Sequence, residues 1–352
     1  MRKRKANRFM NAVVVSEYGP PEVLRVRKIG KPVPGDREVL VRVRATSVNY
    51  GDLLARNFKA VSPREFNMPF ILWVFTRTYF GIGRPRVQVL GSEFSGEIEA
   101  VGRDVRRFKP GDPVFGYRGQ SMGAYAEYVR LPENACLALM PANMTYEEAA
   151  VVPYGAVMAL GLLRRMKVRP GQKVLVVGAS GGIGSAAVQI ARHLGAEVTG
   201  VCAVERSEYV RSLGAGKVID YRMEDFTRNG ETYDLIFDVL GRSSFSRCKN
   251  SLAADGSYLA ASFKTGKLLR MLWTSLSGGR KAICALAPGS VADLLAVRDL
   301  IEAGKIKTVI DRSFPLEQAA EAHRYVEAGH ARGKVVITVD GEDKTGIKER
   351  QR

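Results

Sequence analysis

The chain has 352 residues, 46% of them hydrophobic, with 36 glycines, four cysteines and a formal net charge of +18. That length suits two domains of ~100–200 residues, and the longest uncharged run, Ala149 to Leu163, falls short of the ~20 residues a membrane-crossing helix needs. Cys136, Cys202, Cys248 and Cys284 are too far apart in sequence for a disulfide framework or a zinc knuckle, which points to a reducing, cytoplasmic setting.

The first ten residues are basic (Arg2, Lys3, Arg4, Lys5 and Arg8) but lack an apolar run, so they read as a tail and not as a secretory signal. Strands follow over Ala12–Ser16, Val23–Ile29 and Glu38–Thr46, punctuated by Pro20-Pro21, Pro32-Val-Pro34-Gly35 and Gly51-Asp52. Phe94–Gly102 and Ala124–Leu131 add half-buried strands, joined by the turn-rich Phe108–Gly116. Residues 11–143 therefore read as an all-β, partly open barrel. Within them Phe66–Phe80 is aromatic or aliphatic and basic, as is Lys264–Trp273 further on, and these two segments hold the only tryptophans, Trp73 and Trp273.

At Thr145-Tyr-Glu-Glu148 the rhythm changes. This capping box predicts a helix running to about Met166. After Pro170-Gly171, strands at 174–177, 197–201, 217–219, 234–238, 257–261 and 281–286 alternate with helices at 182–194, 205–213, 243–252 and 290–303. Six strands with helical crossovers make a doubly wound parallel sheet, over 144–305. The strand Lys281–Leu286, last in this sheet, is expected to be an exposed edge. Beyond Gly304, the strands Thr308–Phe314 and Gly333–Val339 flank an amphipathic helix, Leu316–Ala328, so 306–340 is read as returning to the first domain. Residues 341–352 read as a charged tail.

The turn after the first strand of the sheet carries the chemistry. Lys173-Val-Leu-Val-Val-Gly-Ala-Ser-Gly-Gly-Ile-Gly-Ser185 is an aliphatic strand ending in glycines that open a helix. Such a turn presents free N–H groups and the positive end of a helix dipole to a pyrophosphate. Ala179 stands at the first glycine of the usual pattern, and Ser180, Gly181, Gly182, Ile183 and Gly184 complete the candidate loop. No Lys-Ser/Thr follows, which excludes a P-loop. The loop's late position, with no lysine four residues after any tyrosine downstream, excludes a short-chain dehydrogenase.

Further motifs then single out one family. Tyr18-Gly-Pro-Pro-Glu-Val-Leu24, Pro34-Gly-Asp-Arg-Glu-Val-Leu-Val41, Val48-Asn-Tyr-Gly-Asp52, Gly91-Ser-Glu-Phe-Ser-Gly-Glu97, Lys109-Pro-Gly-Asp-Pro-Val-Phe-Gly116, Leu213-Gly-Ala-Gly-Lys-Val-Ile-Asp-Tyr221 and Ala331-Arg-Gly-Lys-Val-Val-Ile337 occur in order around the glycine loop. From about Asn11 to Val339 the chain resembles a zinc-free medium-chain dehydrogenase/reductase of the quinone oxidoreductase type. The resemblance implies an α/β protein: a Rossmann doubly wound parallel sheet plus a GroES-like β-barrel domain split in sequence. Zinc alcohol dehydrogenases place a cysteine where this chain has Asn49 and a histidine where it has Ser92, so no metal is expected. His193, His323 and His330 are read as surface residues.

The end of the second Rossmann strand, Gly200–Val204, lacks the acid that selects NAD. Glu205 comes slightly later, beside Arg206. In the resemblance, Arg206 and Tyr221 fall where NADPH-using relatives carry a Lys and a Tyr at the 2′-phosphate. NADP(H) is therefore the expected cofactor, with NAD(H) behind it. Asn49, Tyr50 and Tyr154 are the candidate groups at the reacting carbonyl, and Asp52 is read as fixing a turn. The expected substrate is a quinone or α,β-unsaturated carbonyl and the expected assembly a homodimer. The two aromatic, basic segments are read as a pocket lid or subunit contact, with peripheral docking on an anionic membrane as the alternative. Two other functions stand beside this one: a zinc-independent alcohol or aldehyde oxidoreductase, and a weakly active nucleotide-binding protein whose basic face meets nucleic acid, membrane or a partner. No nucleic-acid motif supports the last.

Overall fold

Apolar side chains on alternate residues of a long third strand organise the first domain. The computed structural model describes residues 8–339 apart from 64, 65, 67, 262, 263, 277, 286, 288 and 330, so His330, Leu286, Arg2 to Lys5 and the tail 341–352 lie outside the described residues. Strands β1 (Phe9–Val15) and β2 (Leu24–Gly30) form a hairpin-like pair. Strand β3 (Glu38–Ser47) buries Val39, Val41 and Val43. After it come the helices α1 (Tyr50–Arg56) and α2 (Phe70–Phe80), then strands β4 (Glu93–Val101), β5 (Pro113–Tyr117), β6 (Tyr128–Pro132) and β7 (Leu137–Leu139). One edge of β3 pairs with β4. Its first half also pairs with β6 and its last residues with a strand from the far end of the chain, which wraps the sheet toward a barrel.

Helices α3 (Tyr146–Ala150) and α4 (Pro153–Met166) lead into the second domain. The predicted single helix is broken at Val151 and Val152, because Pro153 has no N–H to give and starts a new helix at its first position. There follow β8 (Lys173–Val177), α5 (Gly182–His193), β9 (Glu197–Cys202), α6 (Ser207–Ser212), β10 (Lys217–Asp220) and β11 (Tyr233–Asp238). Next are α7 (Phe245–Cys248), β12 (Leu252–Ala260), α8 (Thr265–Leu276), β13 (Lys281–Cys284) and α9 (Val291–Glu302). The sheet order β10-β9-β8-β11-β12-β13, all parallel, is that of a doubly wound dinucleotide fold. Val174 and Val176 pack into one hydrophobic layer and Leu175 into another, so both faces of the sheet are covered. The helix expected at 243–252 is only one turn, and β12 begins at Leu252.

The outermost strand of this sheet is not bare. Helix α8 lies along β13, where Ala282 N donates to Thr274 Oγ1 (3.0 Å) and Cys284 N to Met271 Sδ (3.4 Å). The expected open edge is therefore corrected: side chains of α8 occupy N–H groups that an added strand would need. In exchange α8 exposes Leu269, Leu272, Trp273 and Leu276, and α2 exposes Phe70, Ile71 and Phe75. Strands β14 (Ile310–Pro315) and β15 (Lys334–Thr338), with α10 (Ala319–Glu327) between them, join the first sheet, β15 lying between β14 and β3.

Candidate active site

The glycine loop is built by close approach. Gly178 follows β8 with φ +86°, and the N–H groups of Gly178 and Ala179 both donate to Val201 O on β9. Gly181 caps α5, so the first amides of a three-turn helix face outward. A methyl group at Gly184 would sit 2.0 Å from Gly178 O, and only glycine permits that contact. Gly155 of α4 plays the same part from the other side: its Cβ would lie 2.2 Å from Gly182 O. Ala179 and Ile183 take core-facing places, Ala179 fully buried.

From this loop a cleft of about 860 Å³ opens over the carboxyl ends of β8 and β9, bounded by Ser180, Glu205, Arg206, Tyr221, Arg222 and Arg242. Arg206 donates to Gly329 O (2.8 Å) and to Ser180 Oγ (3.4 Å). Tyr221 is exposed at the rim. Glu205 is held by Arg222 at 2.6 Å. A strand–glycine–helix turn at the point where strand order reverses, with guanidinium groups at its far end, fits a dinucleotide.

At the other end of the loop, residues from four separate elements converge on Glu93, which opens β4 and is buried. Its Oε1 accepts from Ser47 Oγ (2.5 Å) and Asn49 Nδ2 (2.8 Å), its Oε2 from Tyr154 N (2.6 Å). Lys334, the first residue of β15, donates Nζ to Gly182 O (3.3 Å). Burial pushes the Glu93 carboxyl up, opposed by the charge of Lys334; burial likewise pushes the Lys334 ammonium down, opposed by Glu93. Each charge therefore stabilises the other within the first domain, while Lys334 also reaches Gly182 of the second.

Of the candidate groups at the reacting carbonyl, Asn49 is buried and its amide N–H groups are directed to Glu93, Ser47 (2.9 Å) and Ser92 (3.3 Å) within the protein. Those bonds tie it to the carboxylate of Glu93. Tyr50 starts α1 with its side chain exposed. Tyr154 lies against the loop, its ring 3.7 Å from where a Gly182 methyl would be, and 5.7 Å from the Tyr117 ring. Burial, then Glu93 and Asp52, push its phenol up to about 12, so it stays a proton-bearing donor at neutral pH. Asp52 caps α1 through Asn49 N (2.9 Å) and also accepts from Gly91 N (3.1 Å), tying the helix to the turn before β4. Burial raises its carboxyl to about 7.

His323, read from sequence as a surface residue, is fully buried. Arg56 has no acceptor atom, so its Nη1 donates to His323 Nδ1 (3.1 Å), leaving Nε2–H to donate to Tyr125 OH (3.0 Å) and Tyr125 to donate to Ser47 O (3.2 Å). Burial, with Arg56 beside it, pushes this imidazole down to about 3.

Residues 35–142 match the alcohol dehydrogenase GroES-like domain, and residues 213–337 a family described as zinc-binding dehydrogenase. The mouse protein named NAD(P)H oxidoreductase RTN4IP1, mitochondrial, is 33% identical over 94% of this chain and 89% of its own length. The chain belongs to the medium-chain dehydrogenase/reductase superfamily. A quinone oxidoreductase of Pseudomonas aeruginosa is 32% identical over 91% of this chain and 97% of its own. The solved quinone oxidoreductase of Coxiella burnetii superimposes with a TM-score of 0.81 at 27% identity, covering 94% of this chain and all of that one. This medium-chain dehydrogenase/reductase is accordingly an oxidoreductase that uses a nicotinamide cofactor.

The zinc in the family description does not fit here. Asn49 and Ser92 offer an amide and a hydroxyl, and the two nearby carboxylates, Asp52 and Glu93, already accept N–H and O–H bonds. Among the described residues no group of three His, Cys, Asp or Glu side chains is placed to hold a metal. Glu93 and Lys334 were missed from sequence. Their one signal was a charged residue interrupting a small or apolar run, in Gly91-Ser-Glu-Phe and Gly333-Lys-Val-Val.

Proposed function

We propose that this protein is an NADPH-dependent reductase of quinones or α,β-unsaturated carbonyls that works without zinc. The observation that carries the reading is the set of hydrogen-bonding groups, Asn49, Ser92 and Glu93, at the place where zinc dehydrogenases bind their metal. A site without a Lewis acid suits acceptors already electrophilic at carbon. The P. aeruginosa quinone oxidoreductase and an Arabidopsis thaliana protein named NADPH-dependent alkenal/one oxidoreductase, 30% identical, support that substrate class.

NADPH, when bound, supplies the hydride. The first amides of α5 would hold its pyrophosphate, and Arg206 with Tyr221 its 2′-phosphate. Lys334 fixes the loop through Gly182 O, while Glu93 supplies its counter-charge and binds Asn49 and the start of α4. The neutral Tyr154 phenol donates a hydrogen bond to the oxygen on which negative charge develops. Solvent returns the proton.

Steady-state NADPH oxidation with a panel of quinones, enones and enals tests this. Turnover is expected with at least one class, undiminished by a metal chelator and with kcat/KM for NADPH above that for NADH. Binding of NADPH with no turnover of any acceptor would favour the nucleotide-binding alternative. The assembly is proposed to be a homodimer through the outer face of α8 (Leu269, Leu272, Trp273), since α8 covers the β13 edge. Light scattering giving the mass of a single chain at micromolar concentration would remove it.

A further inference from the structure

Glu205 is an anomaly in a site meant for a phosphorylated ribose. It sits in the turn just beyond β9, where an acid accepts from a ribose 2′-OH and repels a 2′-phosphate. Its carboxylate is not left to act, because Arg222, from the turn after β10, meets it at 2.6 Å with both side chains about half exposed on the cleft wall. The position of Arg222 is itself set. Its backbone N–H donates to Asp220 Oδ1 (3.1 Å), and its guanidinium lies 5.8 Å from the centre of the Tyr221 ring. Arg206, next to Glu205 in sequence, is turned instead to Ser180 and Gly329 on the opposite side.

We infer that Arg222 is a specificity-determining residue that secures NADPH by neutralising Glu205, and that Glu205 is a latent NADH determinant. The inference rests on the NADPH reading. With the ion pair intact, the negative charge beside the 2′-phosphate is cancelled, and Arg206 is left to bind the phosphate. With Arg222 removed, the same carboxylate faces the phosphate uncompensated, and for NADH it becomes a ribose acceptor. The two side chains are separated by 17 positions and belong to turns that follow different strands, β9 and β10, so neither motif shows the device on its own.

The test compares kcat/KM for NADPH and for NADH in wild type, R222L and R222L/E205Q at low salt, with NADPH Kd by fluorescence titration and melting temperature as a check on folding. R222L is expected to lower the NADPH:NADH preference roughly 10- to 50-fold, mainly through KM, with a smaller loss at high salt. R222L/E205Q is expected to return the ratio to within about 3-fold of wild type, a coupling that a lost phosphate contact would not show. A double variant as impaired as R222L would overturn the inference, because Arg222 would then be gripping the phosphate itself. An unchanged ratio in R222L would also overturn it. The wild-type ratio alone tests the cofactor reading: a preference for NADH there refutes NADPH use, and the inference with it, whatever the variants do.

Discussion

Substituting Gly155 by alanine puts the junction between α4 and the nucleotide loop under direct load. The new methyl would lie 2.2 Å from Gly182 O, about 1 Å inside ordinary contact, and its neighbour is a backbone carbonyl that no side-chain rotation can move. Helices α4 and α5 must therefore separate by about 1 Å. Tyr154, the neighbour of Gly155 in α4, donates its N–H to Glu93 at 2.6 Å, so displacement of α4 also loads that bond. Overpacking of this kind costs about 1–3 kcal/mol, which in a domain of 150–250 residues lowers Tm by roughly 2–12 °C. Displacement of the loop amides should raise the NADPH Kd about tenfold or more. The control is Gly266 in α8, where an added methyl meets nothing within 4 Å and alanine should leave Tm level or higher. Differential scanning calorimetry and a cofactor titration read both effects. A G155A protein with wild-type Kd and a Tm within about 1 °C would refute the clamp.

K334M should weaken NADPH binding roughly 10-fold and lower Tm, since Glu93 loses its counter-charge; unchanged binding by titration would remove Lys334 from the loop's support. Y154F should lower kcat about tenfold or more at little cost in NADPH Kd, and an unaltered kcat in single-turnover assays would exclude the phenol as donor. Stability against pH should show two opposed slopes. Folded Asp52 keeps its proton to about pH 7 while the unfolded carboxyl loses it near 4, so its contribution falls as pH rises from 4 to 7. Folded His323 stays neutral down to about 3 while the unfolded ring gains a proton near 6.5, so its contribution falls as pH drops below 6.5. Each runs at ~1.4 kcal/mol per pH unit, so between pH 4 and 6.5 they offset one another. D52N should expose an acid-sensitive Tm and H323Q an acid-stabilised one; parallel profiles for all three proteins would sink that account.

Much of the architecture was legible because it is written in local pattern. The alternation in Glu38–Thr46 and the aliphatic run before Gly178 each announce a strand with no distant information. Failures came where a remote contact decides. Val151 and Val152 continue an apolar helical pattern, and the break shows only in the demand of Pro153 for a first-turn position. His323 has the helical spacing of a surface residue, yet Arg56, 267 positions away, supplies the partner that lets it be buried. The β13 edge looked open until α8 was seen to lie along it. Glu93 and Lys334, 241 positions apart in sequence, come together only when the last strand of the chain returns to the first sheet. The strand–glycine–helix turn was thus readable from its own residues, whereas the charges that brace it were not.

Strand β15 has a consequence for how the molecule is made. It inserts between β14 and β3, and its first residue reaches the phosphate loop of the other domain. During synthesis the Rossmann half can emerge and fold as a unit, but its dinucleotide site stays unbraced until residue 334 has cleared the ribosome. A nascent chain stalled before that point would hold a nearly finished nucleotide fold beside a barrel still missing an interior stave.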